Sequence, residues 1–357
     1  MSDRIDQLRE AAKEDCVTRQ EPMSKHTTFR IGGPADYFAA PETEEGICNI
    51  VRYCRTHDYP FYVIGNGSNL LVADAGYRGL ILQLYKNFSK IEIQPGAGQV
   101  TSEETGAQAA DAAAEKAVPE KNVPEKAVPG KNASEKTVPE YSGAAADSGI
   151  CIIRAEAGAM LSAIARRAQE AGLTGFEFAS GIPGTLGGAV VMNAGAYGGE
   201  MKQVLLSARV LTREGEIREI PAEELELGYR TSVIPANGWI VLGAAIALRP
   251  GAPAAIRARM EELREQRVAK QPLDLPSAGS TFKRPEGYFA GKLIMDADLR
   301  GYTVGGAQVS EKHCGFVVNR GGATAADVRQ LIADVAAKVK ADFGVILEPE
   351  IKMLGEF

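Results

Sequence analysis

The chain contains no stretch approaching the roughly 20 consecutive apolar residues that a membrane helix needs. Its first segment, Met1–Asp15, is rich in charge and has no apolar core, so a secretory leader is not expected and a cytoplasmic location is. Cysteine is sparse. Cys16, Cys48, Cys54, Cys151 and Cys314 form no CxxC pair, which argues against a disulfide framework and a zinc centre. His26, His57 and His313 are equally scattered, and no metal is expected. Positive charge is not in excess: a formal charge of −6 provides no field for tracking nucleic acid or an anionic membrane. An anionic ligand must therefore be met by a local cluster of donors. Two phosphate signatures are also missing. No GxxxxGK[ST] occurs, and Leu70 stands where the third glycine of GxGxxG would be, excluding a P-loop and a dinucleotide fingerprint.

What is present reads as a globular protein of two or three domains, with 357 residues of which 45% are hydrophobic and 24% charged. One segment stands apart. Over about 95–148 the composition shifts to Ala, Glu, Lys, Pro, Gly and Ser, with a five-residue repeat in Glu115–Pro119, Glu120–Pro124, Glu125–Pro129, Gly130–Ser134 and Glu135–Pro139. Recurrent proline forbids a continuous helix, and too little apolar surface is available to offset ordering, so a disordered surface insertion is expected. Around it, Gly79–Lys90, Ile150–Ala155, Gln203–Thr212 and Trp239–Leu248 read as strands. Thr43 is placed to cap a helix with Ile47, Ile50, Val51 and Cys54 on one face. Met160–Ala171 and Pro253–Ala269 read as helices, and Thr324-x-x-Asp327 as a capping box ahead of Val328, Leu331, Ile332, Val335 and Val339. Without strict βαβ alternation, the class is α+β rather than a Rossmann sheet.

Two glycine-rich segments point to a cofactor. Tyr62–Val72 is a strand running into Gly65-Asn-Gly-Ser-Asn-Leu70, where glycines permit positive φ and successive backbone N–H groups make a concave anion site suited to a pyrophosphate. The second, Gly181-Ile-Pro-Gly-Thr-Leu-Gly-Gly-Ala189, reads as a backbone wall against a flat or charged group.

Seven motifs then stand in order. They are Ser24–Asp36, the Gly65 loop, Gly175–Gly188, Asn193-Ala-Gly-Ala-Tyr-Gly198, Gly228-Tyr-Arg-Thr-Ser232, Ala278-Gly-Ser-Thr-Phe-Lys-Arg-Pro285 and Leu347-Glu-Pro-Glu-Ile351. Together they closely resemble the UDP-N-acetylenolpyruvoylglucosamine reductase (MurB) family, over nearly the whole chain from Ser24 onward apart from the repeat. The resemblance implies an FAD-binding fold of the vanillyl-alcohol-oxidase (PCMH) type, with flavin-binding subdomains at 1–88 and 89–250 and a C-terminal α+β substrate-binding domain at 251–357. It implies non-covalent FAD, NADPH as co-substrate, and reduction of UDP-N-acetylglucosamine enolpyruvate to UDP-N-acetylmuramate in peptidoglycan precursor synthesis. A monomer acting on a small molecule, without nucleic acid or membrane, is expected. The interval from Arg230 to Ser280 leaves no room for the tyrosine-bearing loop of one subclass, so the shorter subclass is implied.

By the same resemblance Arg230 meets the substrate carboxylate, Ser280 protonates C2, and Glu350 stabilises the enolic intermediate. A planar guanidinium suits a carboxylate, and a hydroxyl serves as acid only toward a strongly basic carbon. Glu348 competes with Glu350, because strand alternation puts both on one face. Arg30, Gly65, Asn66, Gly67, Ser68, Asn69, Leu70, Gly181, Ile182, Pro183, Gly184, Thr185, Gly187, Gly188 and Ala189 are assigned to the cofactor. Asn193, Tyr197, Lys283 and His313 are assigned to the substrate, with Arg284 a candidate for the surrounding positive field. His26 and Gln308 are weaker candidates. The competing activity is another flavin oxidoreductase of this fold acting on a hydroxy acid or sugar. Those commonly tether flavin through His or Cys in the glycine-loop region, and neither loop here contains one.

Overall fold

The computed structural model describes residues 4–13, 15–94 and 149–357. The repeat insertion at 95–148 lies outside the described residues. Three sheets organise the rest. In the first, strands Val17–Pro22, Pro34–Ala39, Tyr77–Gln83 and Phe61–Ile64 lie side by side in that order, the first pair antiparallel and the others parallel. Helix Glu44–Thr56 covers it. Thr43 Oγ1 accepts from Gly46 N at 3.0 Å, and Ile47, Ile50, Val51 and Cys54 are buried, as the periodicity predicts.

The second sheet is antiparallel, in the order Ile217–Pro221, Leu205–Leu211, Ile240–Pro250, Cys151–Glu156, Ile91–Gln94. Its central strand is buried over Ile240–Leu248. That is why the sequence there is a continuous apolar run instead of an alternation. Helix Leu161–Glu170 buries Leu161, Ile164, Ala165 and Ala168, and Gly172 ends it at φ +66. The run Gly79–Lys90 differs from expectation: the strand stops at Gln83, and Leu84–Ser89 turns so that Phe88 enters the core. Helix Pro253–Lys270 packs against helix Leu161–Glu170 and the turn Glu177–Ala179 of this second region.

The third sheet, in the order Ser277–Ser280, Phe316–Asn319, Ala307–Val309, Thr303–Val304, is also antiparallel. Helix Ala325–Phe343 packs on it through Val328, Leu331, Ile332, Val335 and Val339, with the Thr324/Asp327 capping box formed and Gly344 at φ +70 closing it. The third sheet is tied to the first. Strand Lys352–Leu354 pairs in parallel with Leu70–Val72, and Asp74 accepts from Ala325 N at 2.8 Å and Ala326 N at 3.0 Å. Phe29, Ile31 and Leu71 share a core with the third sheet and its helices. The chain end is thus delivered beside the Gly65 loop.

Candidate active site

The Gly65 loop leaves strand Phe61–Ile64. The backbone N–H groups of Gly65, Asn66, Gly67, Ser68 and Asn69 find no acceptor among the described residues. Five consecutive free donors form a nest for an anion. Gly67 sits at φ +62, where a Cβ would strike the His26 carbonyl, and a Cβ on Gly65 would strike Thr185 Oγ1. Asn66 Nδ2 donates to Pro183 O at 2.8 Å, so the two glycine loops are joined into one wall. Free donors on a loop whose two glycines leave no room for a Cβ suit the pyrophosphate of a dinucleotide such as FAD.

The second loop contributes less than its glycines suggest. The N–H groups of Leu186 and Gly187 are spent on Ala159 O and Ala157 O, each at 2.8 Å. A Cβ on Gly187 would lie 2.9 Å from that of Ala157, so packing of the short helix Leu186–Val191 on the sheet requires this glycine. Gly181 faces the Arg267 side chain, while a Cβ on Gly184 or Gly188 would meet only ordinary van der Waals contacts, with Ser68 Oγ at 3.7 Å and Thr185 Oγ1 at 3.9 Å. Leu70 and Ala189 are buried; Ile182 is half-buried and Pro183 exposed. Arg30 is exposed at φ +56, two residues after Thr28, whose N–H donates to Gly67 O at 3.2 Å.

Arg230 occupies the tip of a two-residue turn closed by Gly228 N to Thr231 O (3.1 Å), at a φ of +55 that is strained for a non-glycine. Buried Asn193 holds this turn. Its Nδ2 donates to Gly228 O (3.0 Å) and Glu200 Oε2 (3.1 Å), and its Oδ1 accepts from Lys202 N (2.9 Å). Asn193 therefore supports Arg230 from behind. Arg230 Nε donates to Glu350 Oε1 at 3.0 Å and Nη2 to Gly195 O at 3.0 Å.

Glu350 is fixed on three sides. Its N–H donates to Thr281 O (2.8 Å), its carbonyl accepts from Asn69 Nδ2 (3.2 Å), and its side chain, 11% exposed, holds Arg230. Burial pushes its carboxyl above the usual carboxylate range, against the opposing pull of Arg230, Lys283 and Lys352. Glu348 is set apart: 69% exposed, it pairs with Lys283 Nζ at 3.1 Å.

Ser280 reaches the site through a β-bulge. Ser277 pairs with Val318 but Ser280 with Phe316, and Gly279 at φ +78 absorbs the extra residue. The bulge leaves Ser280 exposed while Thr281 is buried, its Oγ1 accepting from Val317 N at 3.0 Å. The Ser280 hydroxyl has no hydrogen-bond partner among the described residues.

Arg230, Ser280, Glu350 and His313 line one cleft of about 390 Å³. Arg284, Lys292, Arg300 and Lys312 line it too, and Glu350 is its single acid. Such a cleft in an acidic protein attracts an anion. Burial pushes the His313 imidazolium pKa down. Its Nδ1 accepts from Gly315 N at 3.1 Å, leaving the proton on Nε2 as a donor.

Other expectations fare differently. Lys283 and Tyr197 do not line this cleft; Tyr197, at φ +53, lies near Arg267. His26 binds Glu21 at 3.0 Å and stacks on Phe38, and Gln308 binds Gly301 O and Thr303, so both are engaged in local structure.

Comparison with known proteins now bears on this geometry. Residues 271–354 match the model described as UDP-N-acetylenolpyruvoylglucosamine reductase, C-terminal domain, and residues 35–119 and 147–221 match the FAD binding domain. The chain is 53% identical to the UDP-N-acetylenolpyruvoylglucosamine reductase of Agathobacter rectalis, over 96% of this chain and 95% of that one. The chain belongs to the UDP-N-acetylenolpyruvoylglucosamine reductase family. It is 44% identical to the enzyme of the same name from Clostridioides difficile, over 99% and 97% of the two chains. The crystal structure of the Thermus caldophilus reductase (MurB) superposes with a TM-score of 0.67 at 29% identity, covering 94% of this chain and 97% of that one. The fold is thus the FAD-binding α+β fold of this reductase family, and the chain is an FAD-dependent oxidoreductase.

Within that family setting, Tyr229, Phe289, Lys292, Arg300 and Lys312 are cleft residues that sequence reasoning missed. Helix Ala290–Asp296 gives no functional signal in its spacing. The one available hint was the adjacent aromatic pair Tyr288-Phe289 in a Pro-Glu-Gly setting, where a buried face is not expected.

Proposed function

We propose that this protein uses FAD and NADPH to reduce UDP-N-acetylglucosamine enolpyruvate to UDP-N-acetylmuramate, a step of peptidoglycan precursor synthesis, as a cytoplasmic monomer. The observation that carries the site assignment is the Arg230–Glu350 pair at 3.0 Å in a cationic cleft shared with an unpartnered Ser280 hydroxyl. The two glycine loops would hold FAD, which when bound supplies hydride transfer from NADPH to C3 of the enolpyruvyl group.

The chain's own residues handle the charge that follows. An electron pair develops at C2, conjugated with the carboxylate. Arg230 binds that carboxylate through guanidinium N–H groups not directed at Glu350 or Gly195. Ser280 donates its Oγ proton to C2, and the neighbouring cations hold the alkoxide until solvent reprotonates it. Glu350, whose proton affinity is raised by burial, steadies Arg230 and the enolic oxygen. His313 Nε2–H and Arg284 supply further donors. The Gly65–Asn69 nest holds the cofactor pyrophosphate, and Arg30 flanks it.

We divide the chain into a flavin-binding subdomain at 1–88, a second at 89–250 extended by the helix Pro253–Lys270 that packs on it, and a substrate domain that begins after that helix. The packing of that helix and the 271–354 family match support this boundary over one at 251.

Consumption of NADPH tests the reading. It is expected to require the enolpyruvyl sugar nucleotide and to collapse in R230A. Flavin reduction by a hydroxy acid or sugar without NADPH would replace this reading with the oxidase alternative.

A further inference from the structure

The Gly65 loop follows a strand of the first sheet and the Ser280 bulge belongs to the third, yet two bridges join them. One runs through the chain end. Asn69 Nδ2 donates to Glu350 O at 3.2 Å, and Glu350 N donates to Thr281 O at 2.8 Å, which fixes the chain just after Ser280. The other runs through Thr28. Its N–H donates to Gly67 O at 3.2 Å, and its Oγ1 donates to Ser277 O at 2.7 Å, which fixes the bulge at its first residue.

Thr28 stands in the loop 25–31, whose base is closed by Met23 N to Gly33 O at 3.0 Å and Ser24 N to Gly32 O at 3.2 Å. This loop is held by other groups. Thr27 Oγ1 donates to Ile31 O at 3.0 Å, Arg30 N donates to Thr27 O at 3.1 Å, and His26 is fixed by Glu21 and Phe38. Phe29 is wholly buried in the core shared with the third sheet. The Thr28 hydroxyl serves none of these contacts; it reaches out to the strand that carries Ser280. That strand needs an outside anchor. A bulge interrupts the ladder, so the residues between Ser277 and Ser280 lack the regular cross-strand bonds that fix a strand in place.

We propose that Thr28 is a positioning residue: it clamps the start of the Ser277–Ser280 bulge to the Gly65 loop and so sets where Ser280 Oγ stands relative to the cofactor. This rests on the reading of Ser280 as proton donor to the enolpyruvyl group. Hydride and proton must arrive at adjacent carbons, so the separation of the flavin loop from the proton donor is a condition of the reaction. Thr28 holds that separation from one side of Ser280, and Glu350 holds it from the other.

The test is stopped-flow reoxidation of the FAD-loaded, NADPH-reduced protein by the enolpyruvyl substrate, in wild type, T28S, T28V, T28A, S280A and the double variant T28V/S280A. T28V and T28A should slow reoxidation by about tenfold, short of the roughly 100-fold that a misplacement of about 1 Å can cost. T28S keeps the hydroxyl and should react as wild type does. Flavin reduction by NADPH draws no proton from Ser280 and should be the same throughout. Adding T28V to S280A should slow reoxidation no further, because Thr28 acts through Ser280. Wild-type reoxidation in T28V and T28A would overturn the proposal. So would a loss in T28V/S280A as large as T28V causes alone, or equal slowing of both half-reactions. S280A that reoxidises at the wild-type rate, or reduced wild type that the enolpyruvyl substrate leaves reduced, would overturn the functional reading and the role of Thr28 with it.

Discussion

Ser280 projects into the cleft because Gly279 accommodates a bulge, and it touches no protein group that its loss would leave unpaired. Removing the hydroxyl should therefore cost chemistry and not stability. In stopped-flow, S280A is expected to leave flavin reduction by NADPH intact and to slow reoxidation by the enolpyruvyl substrate by roughly 100-fold or more, the range of general acid catalysis. Equal slowing of both halves would remove the proton-donor role. Glu350 makes a pH prediction. Its carboxyl pKa is raised in the folded state by burial, so the stability it contributes is full below the unfolded pKa and is lost as pH rises through the folded one. E350Q has no such titration. The melting temperature of E350Q relative to wild type should climb from acid toward neutral pH; a relative fall would mean that the pull of Arg230 outweighs burial. At this scale the sequence was legible only through motif order, because no spacing rule brings Arg230, Ser280 and Glu350 together. Glu348 and Glu350 were inseparable by alternation. They part in the structure because Glu350 is clamped between Asn69 and Thr281 while Glu348 reaches out to Lys283.

At the scale of elements, local chemistry was the most readable. The Thr43 cap, the Thr324/Asp327 box and the buried faces they introduce appear in the structure as periodicity predicts. Tertiary demands were not readable. The contact that forbids a Cβ on Gly187, with Ala157, and the hydrogen bond by which Asn193 braces the Arg230 turn are not visible in the sequence. Asp74 shows no signal at all in sequence, since the helix it caps begins at Ala325. D74A should lower unfolding free energy by about 1 kcal/mol, the usual worth of an N-cap, read from the denaturant midpoint. A shift near zero would mean that Thr324 and Asp327 suffice. Gly65 sets a sharper condition. In G65A the new methyl meets Thr185 Oγ1, the loops part, and the purified protein should lose most of its flavin while remaining folded. Full flavin content would show that the loops tolerate separation.

On the scale of the molecule, the third sheet completes the site only because the chain end returns to the first. Strand Lys352–Leu354 on Leu70–Val72 sets Glu350 beside the Gly65 loop, and the Phe29 core seals the joint. The repeat at 95–148 enters and leaves between Gln94 and Cys151, and Gln94 pairs with Ile152 across neighbouring antiparallel strands. A short loop can span that gap. Replacing residues 96–147 with Asn-Gly should thus preserve flavin content and turnover, and loss of either would give the repeat a structural part.

The central claim is that one flavin site passes hydride from NADPH to an enolpyruvyl sugar nucleotide. The FAD-loaded protein, made anaerobic, is mixed first with one equivalent of NADPH and then with UDP-N-acetylglucosamine enolpyruvate, while flavin absorbance is followed. The band should bleach in the first step and return in the second, with UDP-N-acetylmuramate formed. A band that bleaches with NADPH and stays bleached in the presence of the enolpyruvyl substrate would contradict the account.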